Sequence, residues 1–345
     1  MLKVGIYGAG GYTGQELLRL LIRHREVEIV ALTSRKFKDM PVSDVFPAFE
    51  GLVSERFMDA SPDDVADISD VVFSALPHGV AMEAVPIFLR AGKNVIDLSA
   101  DFRLKDASLY ERWYKKHTAP DMIGEAVYGL PELYRDDIKD AKLAANPGCY
   151  PTGVILALAP VLKEKCIDNT SIIIDSKSGV SGTGREPQIG SLFCEVNEGF
   201  KAYKIGSHRH TPEMEQELSL LSGNDIKISF TPHLLPISRG ILNTIYATLR
   251  KNVSEADLLD LYKEFYKDEK FARIYKTGMF PNISSVRGSN YCDIGLAVDK
   301  RTGRVVIIST IDNLIKGAAG QAIQNMNLMC GLKEDTGLEL LPLFP

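Results

Sequence analysis

The sequence predicts an α/β protein built from a Rossmann-type doubly wound parallel-sheet domain and an α+β domain with a mainly antiparallel sheet. Three observations carry this. The first 145 or so residues alternate short apolar runs with helix-like stretches, the pattern of a parallel sheet. A glycine-rich turn joins the first run to the first helix at residue 8. Beyond residue 170 strand-like runs follow one another with fewer helices between them, and two of them, 290–299 and 303–311, read as a hairpin about Lys300-Arg301-Thr302. A length of 345 residues fits two domains, each with ample core. The expected division is 1–148 for the nucleotide-binding domain, completed by a C-terminal helix within 312–345, and 149–311 for a catalytic, substrate-binding and dimerisation domain.

Composition narrows the function classes. A net charge of −5 disfavours general binding to nucleic acid or to an acidic membrane. No apolar run has the length of a membrane span, and the chain opens at once on a strand-like run, so no targeting segment is expected. The five cysteines, Cys149, Cys166, Cys194, Cys292 and Cys330, are odd in number and scattered. That argues for a reduced, cytoplasmic protein with neither a disulfide framework nor a metal site.

The first strand, 2–7, runs into Gly8-Ala9-Gly10-Gly11-Tyr12-Thr13-Gly14 and then a helix from about Gln15. Strand, glycine turn, helix is the context in which such glycines bind a dinucleotide: they permit a tight turn and a close backbone approach to a pyrophosphate at a helix N-terminus. The third glycine stands one position later than in strict G-x-G-x-x-G. The second strand, 27–33, ends Thr33-Ser34-Arg35-Lys36 with no carboxylate for a ribose 2′-hydroxyl. A hydroxyl followed by cations suits a 2′-phosphate, so NADP is preferred to NAD, with Ser34 and Arg35 as ligands; a solvated basic turn is the plain alternative. Further strands at 70–76 and 94–98 end in Pro77-His78-Gly79 and Ser99-Ala100-Asp101-Phe102-Arg103. Ligands of open α/β sheets sit beyond such strand ends. Arg103 is a candidate for a substrate carboxylate or phosphate, or for an ordinary surface ion pair.

A last short strand, 142–145, delivers Asn146-Pro147-Gly148-Cys149-Tyr150-Pro151-Thr152. An apolar helix-like run follows, and Pro151 suits its first turn. Cys149 thus falls at a helix N-terminus, where free N–H groups and the helix dipole favour a thiolate. The second half adds the glycine-rich Lys177–Arg185 stretch, suited to close over a nicotinamide or phosphate or else a flexible loop. It also adds Ser207-His208-Arg209-His210-Thr211-Pro212-Glu213. There Thr211 reads as an N-cap with Pro212 at the first helical position. A spacing of two turns the histidines to opposite sides of an extended chain. One of them is read as acid/base and the other as its support. Asp312 reads as the cap of the last helix, about 314–329, one side of which is made small by Gly317, Ala318, Ala319 and Gly320.

These stretches, with Tyr128–Leu133, Pro232–Pro236, Arg239–Ile241 and Arg287–Gly295, resemble the N-acetyl-γ-glutamyl-phosphate reductases of arginine biosynthesis over nearly the whole chain. That family lies within a wider group containing the aspartate-semialdehyde dehydrogenases. The resemblance implies Cys149 as nucleophile, an acid/base from His208 or His210 with His210 favoured, and Glu213 as its orienter. It implies NADP(H) as cofactor, with Ser74, Pro77, Ser178, Gly179 and Asn313 joining Gly8, Gly10, Gly11, Tyr12, Thr13, Gly14, Ser34 and Arg35 around it. Arg103 and Arg185 are the candidates for the substrate anions. The expected reaction is NADPH-dependent reduction of a small acyl phosphate to an aldehyde through a cysteine thioester, in a homo-oligomer, dimer or tetramer. The alternatives are a carrier-linked aminoadipyl-phosphate reductase, an aspartate-semialdehyde dehydrogenase, or a non-catalytic NADP sensor.

Overall fold

Short buried runs form the first sheet of the computed structural model, which describes residues 1–250 and 253–344. Strands β1 (Leu2–Tyr7), β2 (Val27–Leu32), β3 (Val71–Ser74), β4 (Asn94–Asp97), β5 (Ala126–Tyr128) and β6 (Leu143–Ala145) lie in the order β2-β1-β3-β4-β6-β5. Every pairing is parallel. Parallel strands are covered on both faces, which is why β3 and β6 are buried at every residue. From β1 the chain goes to β2 on one side and returns to β3 on the other, so the strand order reverses beside the Gly8–Gly14 turn.

The second sheet contains β7 (Ile173–Gly179), β8 (Lys201–Ala202), β9 (Ser229–Leu235), β10 (Ile241–Thr248), β11 (Ala272–Ile274), β12 (Cys292–Asp299) and β13 (Arg304–Ile311). Their order is β11-β12-β13-β10-β7-β9-β8. The β12–β13 hairpin forms as expected. The sheet is mixed, because β7 pairs with β9 and β11 with β12 in parallel. The other pairings are antiparallel. Along β10 burial alternates strictly: Ile241, Asn243, Ile245 and Ala247 point inward, Leu242, Thr244, Tyr246 and Thr248 outward.

The helix Cys149–Lys163 packs on the inner face, against β10 and β13, and is buried from Tyr150 to Leu162. A helix apolar all round belongs inside a core. Gly153 lets it approach closely, since a methyl there would lie 2.6 Å from Asn243 Nδ2. A buried polar chain runs beneath it: Ser176 Oγ donates to Asn243 Oδ1, Asn243 Nδ2 to Ser309 Oγ, and Ser309 Oγ to the Gly153 carbonyl. Pro160 removes the N–H that would bond the Leu156 carbonyl, and the Tyr266 hydroxyl takes its place. Tyr262 likewise donates to the Ala157 carbonyl. The helix that carries Cys149 is therefore fixed at its centre by bonds from outside itself.

The chain divides into two units, Met1–Pro147 with Ala318–Glu339, and Gly148–Gly317. The return to the first unit falls at Ala318, later than the expected 312. The tail beyond Glu339 belongs with the second unit rather than the first, for Leu343 N–H donates to the Arg287 carbonyl. Pro345 lies outside the described residues. No helix among the described residues is long and apolar enough to cross a membrane.

Candidate active site

In the first unit the glycine turn leads into the helix Tyr12–Leu21, with Gly11 at the N-cap and Tyr12 and Thr13 at its first two positions. Gly8 has φ +99°, and its N–H donates to Thr33 Oγ1 at 2.9 Å. A side chain on Gly14 would strike the backbone of Ala9, at 2.5 Å. A methyl on Gly10 would lie 2.8 Å from Ser34 Oγ, so the end of β2 adjoins the turn; one on Gly11 would meet nothing within 4 Å. The turn is thus tight, closely packed behind and open in front, as a dinucleotide pyrophosphate requires. Arg35 is exposed beside it.

Ser74 is buried at the end of β3, and Pro77 is exposed in the loop that follows. That loop is held by the buried Asp101, whose Oδ1 accepts from Gly79 N–H at 2.7 Å and from the Tyr110 hydroxyl, and whose Oδ2 accepts from Met82 N–H. His78 Nδ1 accepts from Ala100 N–H. Burial, then the neighbouring Asp101, pushes the Asp97 carboxyl up to about 7. None of this carboxylate network was evident in the sequence pattern.

Arg103 lies inside the fold. It is buried, with Nε donating to the Asn146 carbonyl at 2.7 Å and Nη2 to the Leu98 carbonyl at 2.9 Å. These bonds brace the chain on its way to Cys149, and burial rules out the exposed surface ion pair.

The second unit holds the other group of expected residues. Gly148 is the N-cap and Cys149 the first residue of the helix Cys149–Lys163. Cys149 is half-buried. Gly148 N–H donates to Glu213 Oε1 at 2.8 Å, while its carbonyl accepts from Thr152 N–H and Oγ1. Glu213 is buried in the first turn of the helix Thr211–Ser222. That bond fixes the residue before the cysteine.

The segment before that helix is a turn, and this corrects the histidine geometry. His210, where Thr211 was expected, stands at the N-cap, and Thr211 opens the helix. Because the chain is not extended there, the two rings lie together, with centroids 4.9 Å apart, and both meet the Tyr150 ring edge-on. His210 is half-buried against Gly148: a methyl on Gly148 would fall 2.6 Å from His210 Nε2. His208 is buried, and its Nδ1 accepts from His210 N–H at 3.1 Å. Burial, with help from the charges of Lys204 and Arg209, lowers His208 to about 4, so its ring is neutral at pH 7. Of the two, His210 is the ring against Gly148, the residue before Cys149, and His208 accepts the His210 N–H.

This lowering has a measurable consequence. The folded chain refuses a proton on His208 down to about pH 4, whereas the unfolded chain takes it near 6.5. Stability that is complete above pH 6.5 is therefore lost as the pH falls toward 4, by on the order of 3 kcal/mol. The stability difference between wild type and His208→Asn is expected to shrink by that amount between pH 7 and pH 4; a difference independent of pH would contradict this.

The Tyr150 hydroxyl lies 3.1 Å from that of Tyr203, and burial raises both, Tyr203 to about 12. Both hydroxyls feel the charge of Cys149. Sequence reasoning singled out neither. Ser178 and Gly179 end β7, and Gly179 N–H donates to the Gly240 carbonyl. Asn313 ties this loop down: its Oδ1 accepts from Gly240 N–H at 2.7 Å and its Nδ2 donates to Ser181 Oγ at 2.9 Å. Arg185 lies half-buried farther along the same loop.

A glycine-turn nucleotide domain joined to a domain that presents a cysteine at a helix start beside a histidine defines the class of cysteine-dependent dehydrogenases. The family model described as "Semialdehyde dehydrogenase, NAD binding domain" matches residues 3–141, and "Semialdehyde dehydrogenase, dimerisation domain" matches 149–313. The N-acetyl-gamma-glutamyl-phosphate reductase of Geobacter sp. (strain M21) is 57% identical over 346 residues, covering 100% of both chains. That of Pelotomaculum thermopropionicum is 54% identical over 345 residues, covering 100% of this chain and 99% of the relative. The fold is that of the Candida albicans aspartate semialdehyde dehydrogenase solved with NADP, with a TM-score of 0.73 at 17% identity, covering 96% of this chain and 99% of that one. The chain belongs to the semialdehyde dehydrogenase family, and within it to the N-acetyl-γ-glutamyl-phosphate reductases.

Proposed function

We propose that this chain reduces N-acetyl-γ-glutamyl phosphate to N-acetylglutamate 5-semialdehyde with NADPH, releasing phosphate, as a step of arginine biosynthesis. The observation that carries the reading is Cys149 at the open end of a buried helix with the His210 ring against the adjoining Gly148. Matching relatives bearing that reductase's name support the substrate. A carrier-linked aminoadipyl substrate or a sensor role has no comparable support.

The Cys149 thiolate attacks the acyl carbonyl, and the C–O bond to phosphate breaks with its electron pair leaving on the phosphate. The acyl group is then a thioester on Cys149, so one difficult step becomes two easier ones. NADPH, when bound, supplies the hydride that reduces the thioester carbon. The resulting tetrahedral oxyanion collapses to the aldehyde, and the C–S electron pair returns to Cys149. Backbone N–H groups at the start of the helix Cys149–Lys163 are the proposed donors to the developing oxyanion. His210 serves as acid/base for these proton movements. Glu213 holds Gly148 N–H and so fixes the backbone beside the sulfur.

The Gly8–Gly14 turn, Ser34 and Arg35 would hold the pyrophosphate and 2′-phosphate, and Ser74, Pro77, Ser178, Gly179 and Asn313 complete the set proposed for the cofactor. The turn's open front and the lack of a carboxylate after β2 support this. Arg35→Ala is expected to weaken NADPH binding about 10- to 100-fold, the worth of a charge-assisted bond, and to leave NADH unchanged. Equal losses for both cofactors in titrations would contradict the assignment. Arg103 and Arg185 are the proposed residues for the substrate anions.

A homodimer is proposed through the outward face of the second sheet, where Tyr246 and Leu242 stand beside Asp175, which is paired with Lys177 at 2.8 Å and with His233 at 3.0 Å. The name of the matched dimerisation domain supports it. Sedimentation at the monomer mass would contradict it. The five cysteines, odd in number and scattered along the sequence, support a cytoplasmic setting.

The catalytic reading is tested by mixing enzyme with N-acetyl-γ-glutamyl phosphate without NADPH. Release of one phosphate per site, with an acyl adduct on Cys149 by mass spectrometry, is expected. Intact substrate and unmodified protein would overturn it.

A further inference from the structure

Between β13 and the last helix the chain makes a π-turn, Ile315–Ala319, in which Gly317 N–H bonds the Asp312 carbonyl at 3.0 Å. Such turns hold one residue more than an α-turn and so shift which residue faces a given neighbour. Here the residue brought to face the nucleophile is a glycine. A methyl on Gly317 would lie 2.8 Å from Cys149 Cβ, 3.2 Å from its Cα and 3.2 Å from Ile311 Cδ1. Gly317 is the last residue of the second unit's main segment, 148–317, and Cys149 the second, so the contact joins the two ends of that segment.

The turn is anchored from below. Asp312 is fully buried; its Oδ1 accepts from Leu314 and Ile315 N–H at 2.9 and 3.3 Å, and its Oδ2 accepts from Gly288 N–H at 2.9 Å, with Arg239 Nη1 at 3.6 Å. Lys316, also fully buried, lies over the Phe271 ring at 5.6 Å. Three segments distant in sequence thus meet at the turn that touches Cys149.

We propose that Gly317, presented by this π-turn and anchored by Asp312, is a positioning residue for the Cys149 sulfur. Gly317 closes one side of the Cys149 Cα–Cβ bond with backbone, while Gly148 and His210 bound its N-terminal side. Only a narrow set of sulfur positions remains, and the nucleophile is aimed without a side chain occupying the substrate's space. The contact falls on Cys149 Cβ and Cα, so it acts through the cysteine's own side chain. This rests on Cys149 being the nucleophile.

Gly317→Ala is the test, read in three ways: steady-state kinetics, the rate of Cys149 alkylation by iodoacetamide, and NADPH binding. The expected result is a fall in kcat of about 10²-fold, the cost of a displacement near 1 Å, with little change in KM, an altered alkylation rate and unchanged NADPH affinity. Wild-type kcat and alkylation rate in the variant would overturn the proposal. So would loss of NADPH affinity in step with kcat, which is what general loosening gives. If Gly317→Ala does not fold, Asp312→Asn is expected to give the same split with a smaller loss. The alkylation contrast needs no substrate. An inert wild type would therefore overturn the reductase reading, while the alkylation rates alone decide the role of Gly317.

Discussion

Cys149→Ala is expected to lower turnover of N-acetyl-γ-glutamyl phosphate at least about 10⁴-fold, the scale on which removing a covalent nucleophile is felt. NADPH affinity should be unchanged. The reason is the division of labour in the chain. The sulfur is carried by a helix of the second unit, whereas the glycine turn and Arg35 belong to the first. The fold should survive as well. The helix Cys149–Lys163 is held by Tyr262, Tyr266 and Ser309 at its middle, and Cys149 itself is only half-buried at its start. Removing one sulfur there leaves those bonds in place. Stopped-flow turnover and fluorescence titration of NADPH check the two halves of the prediction. Residual turnover within tenfold of wild type would remove Cys149 from the mechanism.

The second large effect is at His210. His210→Asn should reduce kcat by about 10²–10⁴-fold, the usual worth of a positioned acid/base. His208→Asn should act more weakly and through stability, because the His208 ring is buried, neutral and engaged by His210 N–H. The contrast between the two variants is the informative quantity. If both lose kcat equally at pH 7.5, where both should be fully folded, the assignment of the proton transfer to His210 fails. If only His208→Asn does, the roles are reversed.

Much of the fold was legible because its signals are local. The Gly8–Gly14 turn, the β12–β13 hairpin and the helix behind Cys149 each depend on residues close in sequence. The parallel pairings of β7 with β9 and β11 with β12 were not legible, since a strand's partner across a crossover leaves no mark on its own pattern. The site divides in the same way. Cys149 at a helix start follows from Gly148 and Pro151 beside it. The partner of Glu213, Gly148 N–H, lies 65 residues away and could be found only in space. The histidine pair was misjudged because the extended-chain rule was applied to residues that form a turn. Arg103 was legible by its charge, while its bonds to the Asn146 and Leu98 carbonyls inside the fold were not. The small residues 317–320 showed that something packs closely there, and left unsaid that it is Cys149.

The central claim, acyl-phosphate chemistry at Cys149, is tested most directly by running the reaction backward. NADP+ reduction by N-acetylglutamate 5-semialdehyde is measured with and without inorganic phosphate, in wild type and in Cys149→Ser. Phosphate-dependent NADPH formation in wild type and none in the variant is the predicted result. No turnover from folded, cofactor-binding wild-type enzyme, or equal rates in the two proteins, would contradict it.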